Sequence, residues 1–267
     1  MRPRTARTPT PVHSVQRVIA LLTALGRAGR PLSVTQLSAE VGLPRPTIYR
    51  LMQTLTLQGM TALTDGGYVI GPRILWLAGQ RLEQLELRAA GRSVLLDLRD
   101  RTGETAHLAV LEQGQVVYID KVESPGPMRM ASAIGKIMPA HSTALGKAML
   151  AHLPVDEVNR ILDAVGMPRR TPNTITDRGR LFAELATVRA RGFSVDNIEN
   201  EDGIRCVGAP IFDHRRQVVG AISLSGPASR ITLERVRRLG PEVRRAAEQV
   251  SRALGWTQHA TETHGGR

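Results

Sequence analysis

The first 72 residues carry three segments with helical periodicity followed by two short strands, and this order restricts the fold more than any other feature. Apolar residues recur every three or four positions from 14 to 25. The second segment, 33 to 42, opens with the Ser-Val-Thr-Gln of a capping box and closes on a glycine. The third, 46 to 58, begins with a proline, which a first helical turn accepts. Two strands flank the turn 65–67, so we expect a winged helix-turn-helix over 13–72.

Beyond residue 72 the pattern predicts a linker helix over 73–88 and then a larger domain over 89–256, which opens with a second helix to residue 102. Strands grouped with helices indicate the α+β class, with an antiparallel sheet covered by helices. The ends, 1–12 (basic) and 257–267, lack periodicity, and we expect them to be disordered tails. The expected strands are 106–111, 116–122, 128–133, 192–196, 206–212 and 218–223, and the expected helices are 142–153, 155–165, 178–191 and 233–254.

Composition narrows the class of protein. The formal net charge is +12, and residues 1–90 hold 11 arginines against 4 acidic residues, a net charge of +7. This excess favours a polyanionic partner, although a genome biased toward arginine would produce it too. The only cysteine, Cys206, excludes an internal disulfide and a cysteine-based zinc cluster. No segment reaches the roughly 18 apolar residues of a membrane span. We therefore expect a cytoplasmic protein with no membrane association, cofactor or metal.

The third helix is the expected contact with double-stranded DNA, because the second helix of a helix-turn-helix pair enters the major groove. Arg45 or Arg50 suits a bidentate contact with guanine, and Thr47 suits a thymine methyl group. Asp65 at the wing tip would repel phosphate. The alternative is a winged helix that contacts protein, with both arginines merely solvated. The predicted DNA-binding residues are Ser33, Thr35, Arg45, Thr47, Tyr49, Arg50 and Gln53.

Four segments of the second domain place polar residues where the pattern would otherwise build a core. They are 140–147, Asp196, 203–206 and 223–227. The first segment runs into a helix, whose free backbone amides suit a carboxylate. Together the four favour a cage for a small oxygen-rich anion. Each also has an ordinary explanation: Cys206 as a small buried residue, Ser142 as a helix cap, 226–227 as a turn and Asp196 as a surface acid.

Long ordered motifs in this chain match one known family. They are SVQRVIALL, LSVTQLSAEVGLPRPTIYRLMQTL, GYVIGPR, TGETAHLAVLEQGQVVYIDKVES, PAHSTALGKAMLA, RGFSVDNIENEDGIRCVGAPIFD and AISLSGPASRIT. From about residue 14 to 255 the chain resembles the IclR-type transcription regulators, named for the isocitrate lyase regulator. The resemblance implies a winged helix, a linker helix that dimerises, and an effector domain similar to GAF-type sensory folds. It also implies dimers or tetramers on palindromic operators.

The resemblance further implies an effector site in the second domain. Carried over by position, it comprises the backbone of Ala144 and Leu145 and the side chains of Asp196, Cys206, Ser223 and Ser225. The chain departs from the common family form at 197–198, where many relatives carry acids, which leaves the local charge open. Some relatives have a smaller residue than Leu145, which leaves the volume open.

Three functions follow as hypotheses. The favoured one is a repressor or activator of a catabolic operon, gated by a small organic acid, and the aromatic content of 3% favours an aliphatic or sugar acid. The second is a DNA-binding oligomer whose second domain binds no ligand. The third is an enzyme with Cys206 as nucleophile and His141 as base. The first hypothesis implies no catalytic residues.

Overall fold

The computed structural model describes residues 12–83, 86–126 and 132–257, and the chain divides into two compact units between Gln84 and Leu85. The first unit contains three helices, a two-stranded hairpin and a fourth helix. The bounds are α1 His13–Ala28, α2 Val34–Val41, α3 Arg45–Leu57, β1 Thr61–Thr64, β2 Gly67–Ile70 and α4 Pro72–Glu83. The predicted helix-turn-helix and hairpin are thus present, and the capping box of α2 forms between Ser33 and Gln36.

One core holds the first unit together. Leu21, Leu37, Ile48 and Met52, from the three helices, are fully buried against one another. The hairpin joins this core through a bridge between Leu32 and Tyr68. Gly67 permits this bridge, since its φ is 124° and a Cβ would lie 2.5 Å from the carbonyl oxygen of Leu32. The hairpin is therefore fixed to the helices rather than loosely attached.

The second unit contains an antiparallel six-stranded sheet in the order β5-β4-β3-β8-β7-β6. Helices α5 and α9 pack together on the sheet, and helix α6 packs on it with α7 and α8. The α+β class is confirmed. The bounds are α5 Glu86–Thr102, β3 Thr105–Glu112, β4 Gln115–Val122, β5 Ile137–Pro139, α6 Ala144–Leu150, α7 Val155–Val165, α8 Arg178–Arg191, β6 Ser194–Asn197, β7 Ile204–Phe212, β8 Val218–Pro227 and α9 Leu233–Ala253.

Some bounds differ from the expected ones. The strand expected at 128–133 lies outside the described residues except for 132 and 133, which are not in a strand. The short strand β5 was not predicted. The linker helix expected over 73–88 falls on α4 and the start of α5, with 84 and 85 outside the described residues. The domain limits stay a prediction.

The two faces of the sheet are distinguished by neighbouring residues of β3. Leu108 packs against Gly91 of α5, where a Cβ on the glycine would lie 2.8 Å from a Leu108 methyl group. The next side chain along the strand, His107, points to the opposite face because strand side chains alternate. Helix α6 covers that opposite face, and Ala144 at its start receives a 2.5 Å hydrogen bond from Ser194 of β6. The face under α6 therefore carries the polar residues.

Candidate DNA-binding surface and ligand cavity

Helix α3 presents polar side chains to solvent. Its apolar residues Ile48 and Met52 are fully buried, whereas Tyr49 and Arg50 between them are exposed. Of the seven side chains predicted to contact DNA, six are exposed and Thr47 is half-buried. Within the described residues neither Arg45 nor Arg50 forms an ion pair. The two guanidinium groups are therefore available for an external anion.

The polar side chains at the start of α2 and in the wing turn have structural roles. The hydroxyl of Ser33 already accepts a hydrogen bond from the backbone amide of Gln36, so this residue shapes the start of α2. Thr64 donates to the carbonyl of Gly67 at 2.9 Å and fixes the wing turn, and Asp65 lies exposed at its tip. Within the helix pair α2 and α3 the exposed arginines therefore lie on α3, and the wing tip carries a carboxylate.

In the second unit one cavity, with about 470 Å³ of empty space, lies between the sheet and the start of α6. The structure brings together all six residues expected at the effector site, since each of them lines this cavity. Two further lining residues, Thr143 and Ile204, lie in the predicted segments 140–147 and 203–206. Seven others were not predicted: His107, Tyr118, Ser132, Lys136, Met138, Asn200 and Glu201.

Strand register explains how distant residues meet at this cavity. Asp196 of β6 pairs with Cys206 of β7, and Cys206 pairs with Ser225 of β8, so the three form one row across the sheet. Ser223 lies two positions along β8 on the same face and pairs with His107 of β3. The polar wall is therefore a product of antiparallel pairing.

Small residues let the start of α6 approach this wall. A Cβ on Gly208 would lie 3.0 Å from the backbone of Ala144, and a Cβ on Gly146 would lie 2.2 Å from the carbonyl oxygen of Ala140. Thr143 caps the helix by accepting from the amide of Gly146 at 3.1 Å. The expectation that Ser142 is the cap is therefore wrong, because its hydroxyl donates to Asn200 instead.

Asp196 is a buried carboxyl with an unusual proton affinity. Its Oδ1 accepts from the amides of Glu199 at 2.7 Å and Asn200 at 3.3 Å. Burial raises the pKa of Asp196 to about 7, and the charge of Glu199 adds to the increase, while the amides and the Lys147 ammonium oppose it. Asp196 is thus a buried acid, not a surface one, that exchanges its proton near neutrality.

Cys206 lies beside Asp196 as a protonated thiol. Burial and the neighbouring carboxyl of Asp196 raise its pKa well above the usual value, although a hydrogen bond with Ser225 lowers it. The imidazole Nε2 of His141 instead lies 3.2 Å from the carbonyl oxygen of Pro168. The structure therefore shows no thiol-imidazole hydrogen bond of the kind that a cysteine nucleophile requires.

His107 and Tyr118 form the wall of the cavity on β3 and β4. Their ring centroids are 4.9 Å apart. The Nε2 of His107 lies 2.7 Å from the hydroxyl oxygen of Ser132. Burial, together with the ammonium groups of Lys121 and Lys136, lowers the pKa of His107 to about 3, so the imidazole is neutral. Two rings thus line a cavity in a chain with few aromatic residues.

Comparison with known proteins identifies the family to which this chain belongs. Residues 79–252 match the family model for the bacterial transcriptional regulator IclR C-terminal region, and residues 14–65 match the IclR helix-turn-helix domain. The chain belongs to the IclR family. As an IclR-family protein it is a DNA-binding transcriptional regulator, and the resemblance found in its motifs is confirmed.

IclR-family relatives match this chain over almost its whole length. It is 36% identical to the transcriptional repressor IclR of Escherichia coli over 248 residues, 91% of this chain and 90% of that protein. It is 35% identical to the acetate operon repressor of Salmonella typhimurium over 251 residues, 92% of each. The crystal structure of Thermotoga maritima IclR is 34% identical with a TM-score of 0.76, covering 91% of this chain and 99% of that one. Among the described residues of this IclR-family chain, no helix has the length and apolar character that crossing a membrane requires.

Sequence reasoning missed the buried ion pair behind the cavity of this IclR-family chain. Lys147 of α6 is fully buried, and its Nζ lies 2.6 Å from Oε1 of Glu199 and 3.8 Å from Oε1 of Glu184. The other oxygen of Glu199, Oε2, is buried without a hydrogen-bond partner in the part of the chain that the structure describes. The available signal was a lysine within an otherwise small and apolar helix, because burying a lysine requires a buried acid.

Proposed function

We propose that this chain controls a catabolic operon by binding a palindromic operator, and that a small carboxylate bound in the cavity of the second unit sets its affinity for that DNA. One observation carries the proposal. Four polar side chains and two backbone positions from four distant segments converge on one cavity of the second unit, while the exposed Arg45 and Arg50 lie on α3 of the first unit. A protein with DNA contacts in one unit and a ligand cavity in the other fits an effector-gated regulator.

The DNA part of the proposal rests on α3. Its exposed face offers Arg45, Arg50 and Gln53, side chains that suit base edges and phosphates in the major groove. Neither arginine has an acidic partner among the described residues, so DNA binding breaks no internal ion pair.

Palindromic operators require two copies of the chain, and the first unit offers apolar surface for a second copy. Val15 and Ile19 of α1 are more than half exposed, as are Leu75 and Trp76 of α4. Exposed apolar side chains at this density mark protein contacts. We propose a homodimer or a homotetramer, with half-sites spaced by about one helical turn of DNA, roughly 10 base pairs.

The carboxylate part rests on the cavity's charges and hydroxyls. Lys136 contributes a cation to the lining, and Ser223 and Ser225 contribute hydroxyls. Asp196, with a pKa of about 7, is protonated about half of the time at neutral pH and then donates a hydrogen bond to an anion. The Salmonella relative is named the acetate operon repressor, and acetate is a small carboxylate.

A mobility-shift titration tests the proposal. At fixed low salt the chain should prefer the DNA upstream of its own gene to a random duplex of equal length, and one member of a carboxylate panel should change that affinity. Ser225→Ala should keep the affinity for DNA and lose the response to the carboxylate. Arg50→Ala should lose affinity for DNA and keep its affinity for the carboxylate, which calorimetry measures. Equal binding of the upstream and random duplexes would refute the proposal.

The ligand-free alternative predicts a different thermal result. A ligand at 100 times its Kd stabilises the state that binds it by about 2.7 kcal/mol, which raises the melting temperature by several degrees. If no acid in a broad panel shifts the melting temperature while operator binding persists, the second unit serves oligomerisation alone. The two hypotheses are thus separated by one measurement on the same protein.

A further inference from the structure

Three neutral side chains at one end of the cavity have hydrogen-bonding groups with no partner in the described residues. The Nδ1 of His107 is buried and unpaired. The hydroxyls of Tyr118 and Ser223 form no hydrogen bond with any described side chain or backbone group. His107 and Ser223 are adjacent on paired strands, and the ring of Tyr118 lies against that of His107. A buried nitrogen is normally satisfied, so Nδ1 of His107 indicates a missing partner, and the two unpaired hydroxyls of Tyr118 and Ser223 lie beside it.

The cluster differs chemically from the rest of the cavity because none of its members is charged. The imidazole of His107 is neutral, and burial raises the pKa of Tyr118 so that its phenol stays protonated. The ionisable lining residues Lys136, Asp196 and Glu201 are neighbours of the cluster, since the charge of Lys136 acts on His107 and those of Asp196 and Glu201 act on Tyr118. A carboxylate binds better to the ammonium group of Lys136 than to neutral groups, which leaves the neutral cluster beside it for a second, uncharged polar group of the same ligand.

We propose that His107, Tyr118 and Ser223 bind a hydroxyl group of the effector, so that the effector is a hydroxy acid. This inference rests on the proposed function, since it specifies the acid that gates the protein. A hydroxyl both donates and accepts, so it satisfies Nδ1 of His107 in either tautomer and accepts from Tyr118 at the same time. A ketone oxygen only accepts, and it leaves Nδ1 unpaired when Nε2 carries the proton.

Calorimetric titration of the full chain with matched acids tests this inference. The probes are lactate and propionate, 3-hydroxybutyrate and butyrate, 4-hydroxybenzoate and benzoate, and pyruvate as the ketone analogue of lactate. At least one hydroxy acid should bind at least tenfold more tightly than its deoxy partner, because the deoxy acid leaves the cluster unpaired.

Variants locate the preference. Tyr118→Phe removes one oxygen and should reduce the preference for the hydroxy acid, measured as the ratio of the two Kd values, at least threefold. His107→Phe removes both ring nitrogens and should also reduce the preference for the hydroxy acid. If the His107→Phe protein does not fold, Tyr118→Phe alone tests the assignment. Tyr68→Phe, a tyrosine of the first unit, is the matched control and should change neither affinity.

The failures are distinguishable. If the acids bind but hydroxy and deoxy partners, or lactate and pyruvate, bind equally, the hydroxyl inference is wrong and the carboxylate-gated function stands. If the preference survives Tyr118→Phe unchanged, the assignment of the hydroxyl to this cluster is wrong. If no acid binds and no melting temperature shifts, both the inference and the proposed function fail.

Discussion

Replacing Asp196 by asparagine should stabilise the second unit at neutral and alkaline pH and have little effect at pH 4. The folded pKa of about 7 lies roughly three units above the usual value of 3.8. Above pH 7 the folded state therefore holds a buried charge that the unfolded state holds in water. At 1.36 kcal/mol per unit the cost is about 4 kcal/mol. Asparagine removes this charge and keeps an oxygen for the amides of Glu199 and Asn200.

The pH dependence of the difference decides the question. Between pH 4 and 7 the folded wild type binds one proton that the unfolded chain has lost, so Asp196 lowers the stability by about 1.4 kcal/mol per pH unit. His107 acts oppositely, since its folded pKa of about 3 lies below the usual 6.5 and its contribution rises with pH over that window. The pH slopes that Asp196 and His107 contribute to the stability therefore nearly cancel in the wild type. Asp196→Asn should expose the rising slope of His107.

Urea unfolding from pH 4 to 8 measures this difference. The chain has two tryptophans, so Trp76→Phe leaves Trp256 as a fluorescence reporter of the second unit. The difference in the free energy of unfolding between Asp196→Asn and its Trp76→Phe parent should widen by about 4 kcal/mol from pH 4 to 8. Asp202→Asn, at an exposed aspartate of the same unit, is the control and should give a constant gap. A constant gap for Asp196→Asn would show that its carboxyl is not held in the desolvated state that the structure indicates.

Three shorter predictions concern both units. Arg50→Ala should weaken operator binding about 10- to 100-fold in a mobility-shift assay, with an unchanged melting temperature, because the side chain is exposed. Gly67→Ala should destabilise the first unit by about 2 kcal/mol or more in urea unfolding, because its Cβ would meet the carbonyl oxygen of Leu32. Lys147→Met should cost about 3–5 kcal/mol, and Glu199→Gln in the same chain should recover most of it.

Local signals explain the elements that the sequence predicted well. The bounds of α7 and α8 agree with the expected 155–165 and 178–191. Helix α8 has an aspartate cap, Asp177, whose side chain accepts from the amide of Arg180, and it ends at Gly192 in the left-handed conformation. These devices act within a few residues, so they can be identified from one chain. Strand β5 has only three residues, too few for an alternating pattern, so its pairing with β4 was not predicted.

Long-range pairing explains what the sequence did not reveal. The residues alone identified polar segments, and the family resemblance supplied the individual positions within them. Neither identified His107 or Tyr118, because a polar residue in an alternating strand is usually solvent-facing and only the register of β3 with β8 turns this wall inward. Lys147 and Glu199, 52 residues apart, likewise became a pair only through packing of α6 on the sheet.

The proton on Asp196 links the cavity to two elements at once. Its carboxylate holds the amides of Glu199 and Asn200, and Glu199 in turn binds Lys147 of α6, the helix whose first residue, Ala144, lines the cavity. An anion bound nearby favours the protonated carboxyl, which weakens its hold on the two amides and changes the field at the Lys147–Glu199 pair. If the effector is an anion, as we propose, its charge therefore acts on the 196–200 loop and on α6 together.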